Sequence, residues 1–144
     1  MEASGSASHP FRTLTHAVGL ASPIAGKIHI DEGYYAPSTG ESFPLYPAAG
    51  VDITAWSASG SELNRSARIL DGETDGSESS TSTILSFPDA TGSNIVSGIC
   101  IRNSWSAPVH VPGGRLLMKD CIVTQSGSWR DLPSGPAAEN NGHI

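Results

Sequence analysis

At 144 residues and 14.9 kDa the chain has room for one domain, which at this size folds on its own core without metal or disulfide. Only 15% of residues are charged, against a usual ~25%, while 16 glycines and 10 prolines punctuate the chain; short strands and tight turns are favoured over helices. A net charge of −6 with eight scattered Lys and Arg argues against a nucleic-acid interface, and no apolar run approaches the ~18 residues of a membrane span.

The opening MEASGSASHP has neither a cationic start nor an apolar stretch, so no secretory leader is expected in this chain and its compartment stays open. Residues 1–8 are rich in Gly, Ser and Ala and are expected to be disordered. In HPFRTLTHAVGLASP, Leu14, Ala17, Val18 and Ala21 recur at i, i+3, i+4 and i+7, the apolar face of a helix. Thr13 is placed to cap it and Pro23 to stop it, so one short helix is predicted over 13–21 and no second. Everything afterwards reads as strand and turn: KIHI (27–30), SFPLY (42–46), VDITAW (51–56), ARIL (67–70), TILSF (83–87), NIVSGICIRN (94–103), VHV (109–111) and RLLMKDCIVTQ (115–125). The polar stretches 57–66 and 71–82 read as loops, and 126–144 as an irregular tail after a domain spanning 9–125.

A long-range period decides how these strands assemble. Gly98-Ile99-Cys100-Ile101 matches Asp120-Cys121-Ile122-Val123 at 22 residues, placing Ile101 over Val123 and Asn103 over Gln125 as an amide ladder. KIHI and VDIT match at 24, and Ile53 to Ile99 spans either two such periods or one turn swollen by the polar loops. One strand type recurring at such intervals, with no helix between, predicts an all-β solenoid: a short right-handed parallel β-helix, its coils ~4.8 Å apart, capped at the N-terminus by the one helix. A β-sandwich is the competing architecture. It requires two-residue hairpin turns, and the Asp-Gly pairs at 71–72 and 75–76 both fall inside one polar loop.

Pro10-Phe11-Arg12-Thr13-Leu14, Gly33-Tyr34-Tyr35, Gly40-Glu41-Ser42-Phe43-Pro44-Leu45 and the segment NIVSGICIRN together resemble small members of the pectin-lyase-like right-handed β-helix superfamily. The resemblance covers about residues 9–125. It implies a helix plugging the open end of the coil and a carbohydrate ligand class. It implies no catalytic residue, because fold does not carry function with it and the catalytic blocks of the enzymes are not found here.

An aromatic follows each strand aligned in first position: Tyr34 and Tyr35, then Trp56, Trp105 and Trp129. Coils in register would line these along one edge, where aromatic faces suit sugar rings and Arg102, Arg130 and Asp131 supply hydrogen bonds. The competing reading is an aromatic stack that covers the coil edge, or a subunit contact. Asp71, Glu73 and Asp75 alternate as in a calcium loop, but Ser82 stands where such a loop needs its glutamate, so a solvated acidic loop is expected and no metal site is assigned. Asp31, Glu32, Asp52 and Asp120 offer carboxylate pairs such as Asp31 with Asp52, the minimum for glycoside hydrolysis. Cys100 and Cys121 read as small buried hydrophobes, and the five histidines show no ligand spacing. The expectation is a non-catalytic binding or structural module without cofactor, engaging polysaccharide through the aromatic edge, its open distal end covered by a second copy of itself or else by its own tail. The alternative is a polysaccharide hydrolase or lyase using a carboxylate pair.

Overall fold

The computed structural model describes residues 5–21, 26–56, 65–73, 83–88 and 92–124. Helix α1 (Leu14–Leu20) is followed by β1 (Lys27–Ile30), β2 (Gly33–Tyr35), β3 (Asp52–Ala55), β4 (Arg68–Asp71), β5 (Leu85–Ser86), β6 (Ser93–Ser97), β7 (Cys100–Arg102), β8 (Val109–His110), β9 (Arg115–Lys119) and β10 (Ile122–Thr124). These strands form three sheets in the orders β1-β3-β6-β9, β2-β4-β7-β10 and β5-β8, and every strand pair is parallel. A parallel bridge from Leu45 to Leu85 adds the first coil to the third sheet. Chain order therefore visits face one, face two and face three, then steps to the next coil. This is a parallel β-helix and excludes the sandwich, which is built from antiparallel pairs.

The core is three ladders of inward side chains, one per face. Ile28, Ile53, Val96 and Met118 pair along the first sheet. Tyr35, Leu70, Ile101 and Val123 pair along the second, and Leu45, Leu85 and Val109 along the third. Ile53, Leu70, Leu85, Val96 and Ile101 have no exposed surface. Each such side chain stabilises the fold by about 1.5–3 kcal/mol through burial. Val123 in the last coil remains 36% exposed and the outward Leu117 48%.

Helix α1 closes the other end. Leu14 joins the core, and Ala17 and Val18 pack against it, as the periodicity predicts. Thr13 is the N-cap and accepts from the His16 N–H at 3.3 Å; Ala21 is the C-cap. A second cap comes from the first coil: the buried Glu41 accepts from the backbone N–H groups of Leu14 and Thr15, both at 2.7 Å, and from the Thr15 hydroxyl. A seven-residue helix leaves a large share of its N–H groups without intrahelical partners, and this carboxylate fills two of them. Residues 5–9 close a turn, with the Gly5 N–H donating to the His9 carbonyl and the His9 N–H to Ser6.

Three expectations change in detail. Lys27 pairs with Asp52, an offset of 25 rather than 24, so that Ile28 meets Ile53 and Ile30 meets Ala55. A slip of one residue would turn the whole apolar set outward, which makes this register the stable one. Ile53 pairs with Val96, so the long interval is a single swollen turn and not two coils. The runs 94–103 and 115–125 each split in two, bent at Gly98 (φ +72) and Asp120 (φ +51). A Cβ on Gly98 would lie 2.5 Å from the Ala55 Cβ, so both its backbone conformation and its space demand glycine. The 22-residue match holds, with Ile101 beside Val123. Gln125 lies outside the described residues, and Asn103 bonds Asp71 rather than an amide neighbour. The tail 126–144 also lies outside them.

Candidate functional site

Two corners of the coil carry the polar and aromatic residues: the first between faces one and two, the second between faces two and three. Trp56 stands at the first corner, directly after β3, its N–H donating to the Ile30 carbonyl at 2.9 Å. Its ring meets His29 edge-on, with centroids 6.2 Å apart. Trp105 follows β7 and stands at the second corner. Tyr34 and Tyr35 lie on β2 and point to opposite faces, Tyr34 40% exposed and Tyr35 half-buried against the core. Trp129 and Arg130 lie outside the described residues. The single aromatic column is therefore not formed among Tyr34, Tyr35, Trp56 and Trp105. The bend at Gly98 sends the chain onto the second face before it reaches Trp105, so that residue follows a different strand from the one Trp56 follows.

What the first corner does assemble is a cleft of about 490 Å³ between α1 and β1. Phe11, Leu14 and Leu20 are apolar lining residues, and Tyr35 and Trp56 aromatic ones. Lys27, His29 and Asp31 add polar groups along β1. Volume and lining match a small-ligand site: mostly apolar, with few polar side chains. The Tyr35 hydroxyl donates to the Asp31 carbonyl at 3.0 Å, and burial, with the charges of Asp31 and Glu41, pushes that phenol up. At the same corner Arg68 is fully buried. Its Nε donates to the Ile30 carbonyl at 3.1 Å and its Nη2 to the Trp56 carbonyl at 2.5 Å, with a Glu32 carboxylate oxygen 3.8 Å away.

The second corner is a closed polar network. Asp71, 1% exposed, accepts from Arg102 Nε at 2.7 Å, from Asn103 Nδ2 at 2.9 Å and from the Glu73 N–H at 2.8 Å. Burial by itself pushes the Asp71 carboxyl up, but these hydrogen bonds and the Arg102 charge outweigh it and hold the group below its ordinary value. Glu73 accepts from the Ser38 N–H at 2.8 Å, the Ser38 hydroxyl and the Tyr34 hydroxyl at 3.2 Å. The Ser38 bonds keep the Glu73 carboxyl low. Tyr34 is pushed up to about 12, by desolvation first and then by the carboxylates of Asp71 and Glu73. Asn103 and Glu73 both hold left-handed backbone, φ +54 and +50, and the network fixes them there.

Arg102, expected to serve a ligand, is thus engaged with Asp71, and the acidic alternation of Asp71 and Glu73 is spent on the corner itself. Asp75 lies outside the described residues. Among the described residues no group of three or more His, Cys, Asp or Glu side chains gathers. The register also separates the carboxylate pair: Asp52 sits opposite Lys27, four residues before Asp31, roughly 13 Å at ~3.3 Å per strand residue. Asp52 accepts from the Ile95 N–H at 2.8 Å. Cys100 is buried and Cys121 partly so, both as free thiols.

Sequence reasoning passed over Arg68 and Lys27. For Arg68 a signal existed: in ARIL it alternates with Leu70 and so must share its inward face. Lys27 had none, because only the packing of α1 over β1 turns an exposed strand residue into a cleft wall. A family model described as "Protein of unknown function (DUF1565)" matches residues 1–113. No curated protein and no solved structure matches the chain.

Proposed function

The chain belongs to the DUF1565 family of proteins of unknown function, and on that premise we propose that it is a non-catalytic binding module of the pectin-lyase-like right-handed type. Its ligand is a short carbohydrate segment held in the cleft between α1 and β1. The observation that carries this reading is Trp56: a half-buried residue lining a cleft of about 490 Å³, with Lys27 and Asp31 at hand. A sugar presents C–H faces to such a ring and hydroxyls to such polar groups. The uniformly parallel strand pairs, stacked coil on coil, support that reading.

The test is retention of Trp56→Ala on immobilised neutral and acidic polysaccharides, with Trp105→Ala as its counterpart. Loss of a stacking face weakens binding by about tenfold at the first position and leaves it unchanged at the second. Equal retention by Trp56→Ala and the parent protein, with both folded, removes the cleft as the site. New reducing ends or unsaturated products after incubation with the same polymers would replace this reading by the hydrolase or lyase one.

A further inference from the structure

Arg68 is the one charged side chain among the described residues with no exposed surface, and it bonds the carbonyls of two residues that line the proposed cleft. Burying a guanidinium is costly unless its donors are satisfied, so the acceptors it reaches report what it is for. Two of them are main-chain carbonyls, Ile30 at the end of β1 and Trp56 at the end of β3. The Ile30 carbonyl also accepts from the Trp56 N–H. Both peptide groups of Trp56 are therefore pinned, one to the first coil directly and one through the guanidinium. Ile30 and Trp56 themselves line the cleft.

The position is unusual for a second reason. Trp56 is where the chain leaves face one, and β4, which begins at Arg68, is where it enters face two. At the same corner of the next coil two residues, Gly98 and Ile99, separate the strands; here twelve do, 56 to 67. Residues 57–64 lie outside the described residues, and 65–67 form a 3-10 turn that leads into β4. The guanidinium at the start of β4 reaches back to the Trp56 carbonyl and so ties the end of face one to the start of face two.

We infer that Arg68 is a positioning residue for Trp56: it fixes this cleft-lining residue by tying the carbonyls of Ile30 and Trp56 to the first residue of β4. This rests on the binding reading only for its use, since the clamp is measurable without any ligand. Arginine is required because separate nitrogens of its planar fork, Nε and Nη2, reach the two carbonyls, which the single ammonium of a lysine does not.

The experiment replaces Trp105 and Trp129 by Phe, so that Trp56 is the only tryptophan, and then introduces Arg68→Met, Arg68→Lys and, as a core control of the same strand, Leu70→Ala. Near-UV circular dichroism and acrylamide quenching read the order of the Trp56 ring at a temperature where far-UV spectra show every variant folded. Arg68→Met is expected to lose most of the near-UV band and raise the quenching constant about twofold or more. Arg68→Lys recovers part of both, and Leu70→Ala changes neither. An unaltered Trp56 signal in Arg68→Met, or an equal change in Leu70→Ala, overturns the inference. Should Arg68→Met not fold, Arg68→Lys decides: a Trp56 signal identical to the parent's refutes the clamp. If the Trp56 signal moves as expected while the parent protein retains no polysaccharide, the clamp stands and the carbohydrate reading falls.

Discussion

The two corners of the coil turn the same backbone by different chemistry. The second corner is held by carboxylates: Asp71 and Glu73 accept from Arg102, Asn103, Ser38 and Tyr34. The first is held by a buried guanidinium on main-chain carbonyls. One network is built on carboxylates, the other on a guanidinium and main-chain carbonyls. At the second corner the acidic side chains are used up in holding the turn. At the first, Arg68 holds main-chain carbonyls and Asp31 accepts from the Glu32 N–H, which leaves the Trp56 ring and the Lys27 side chain to line a cleft. A side chain available to a ligand is one whose corner does not need it.

The largest way to break this contrast is Asp71→Ala. It leaves Arg102, Asn103 and the Glu73 N–H without their shared acceptor, and is expected to cost about 2–4 kcal/mol in urea unfolding. A loss below ~1 kcal/mol would mean the network is not what holds the second corner. A smaller effect concerns acid. The folded Asp71 carboxyl lies below its ordinary value and the unfolded one titrates near ~3.9. The stability it contributes is thus complete above about pH 5 and drains away as pH falls through the folded value. Glu73 is depressed as well and adds in the same direction. Asp71→Asn should flatten the fall in thermal midpoint between about pH 5 and 2 relative to the parent. A parallel pair of curves would show that Asp71 titrates normally. The smallest effect lies in alkali. Tyr34 titrates near 12 in the folded chain and near 10 unfolded, so stability is intact below pH 10 and declines between the two. Tyr34→Phe should lack that decline, and an absorbance titration at 295 nm checks the phenol directly.

The legible part of the fold is that which repeats at constant interval. Ile101 over Val123 follows from one local match, because only a two-residue bend separates the strands on either side in both coils. Tyr34 over Ile69 and Ile69 over Cys100 are not legible in this way, since loops of unequal length intervene and destroy the period. The single aromatic column failed for the same reason: position after a strand says nothing until it is known which face that strand occupies. Glu41 reads in sequence as a polar residue before SFPLY, and only the docking of α1 reveals it as a second helix cap.

From the sequence by itself come the class of element, the inward alternation of each strand, the capped helix and the need for a solenoid, because these depend on neighbours within a few residues or on one constant repeat. Tertiary structure alone decided the register of 25 between Lys27 and Asp52, the separation of Trp56 from Trp105 and the cleft beneath α1. Each of these depends on where a loop of arbitrary length returns the chain. That is settled by which apolar faces bury each other, and no local pattern carries it.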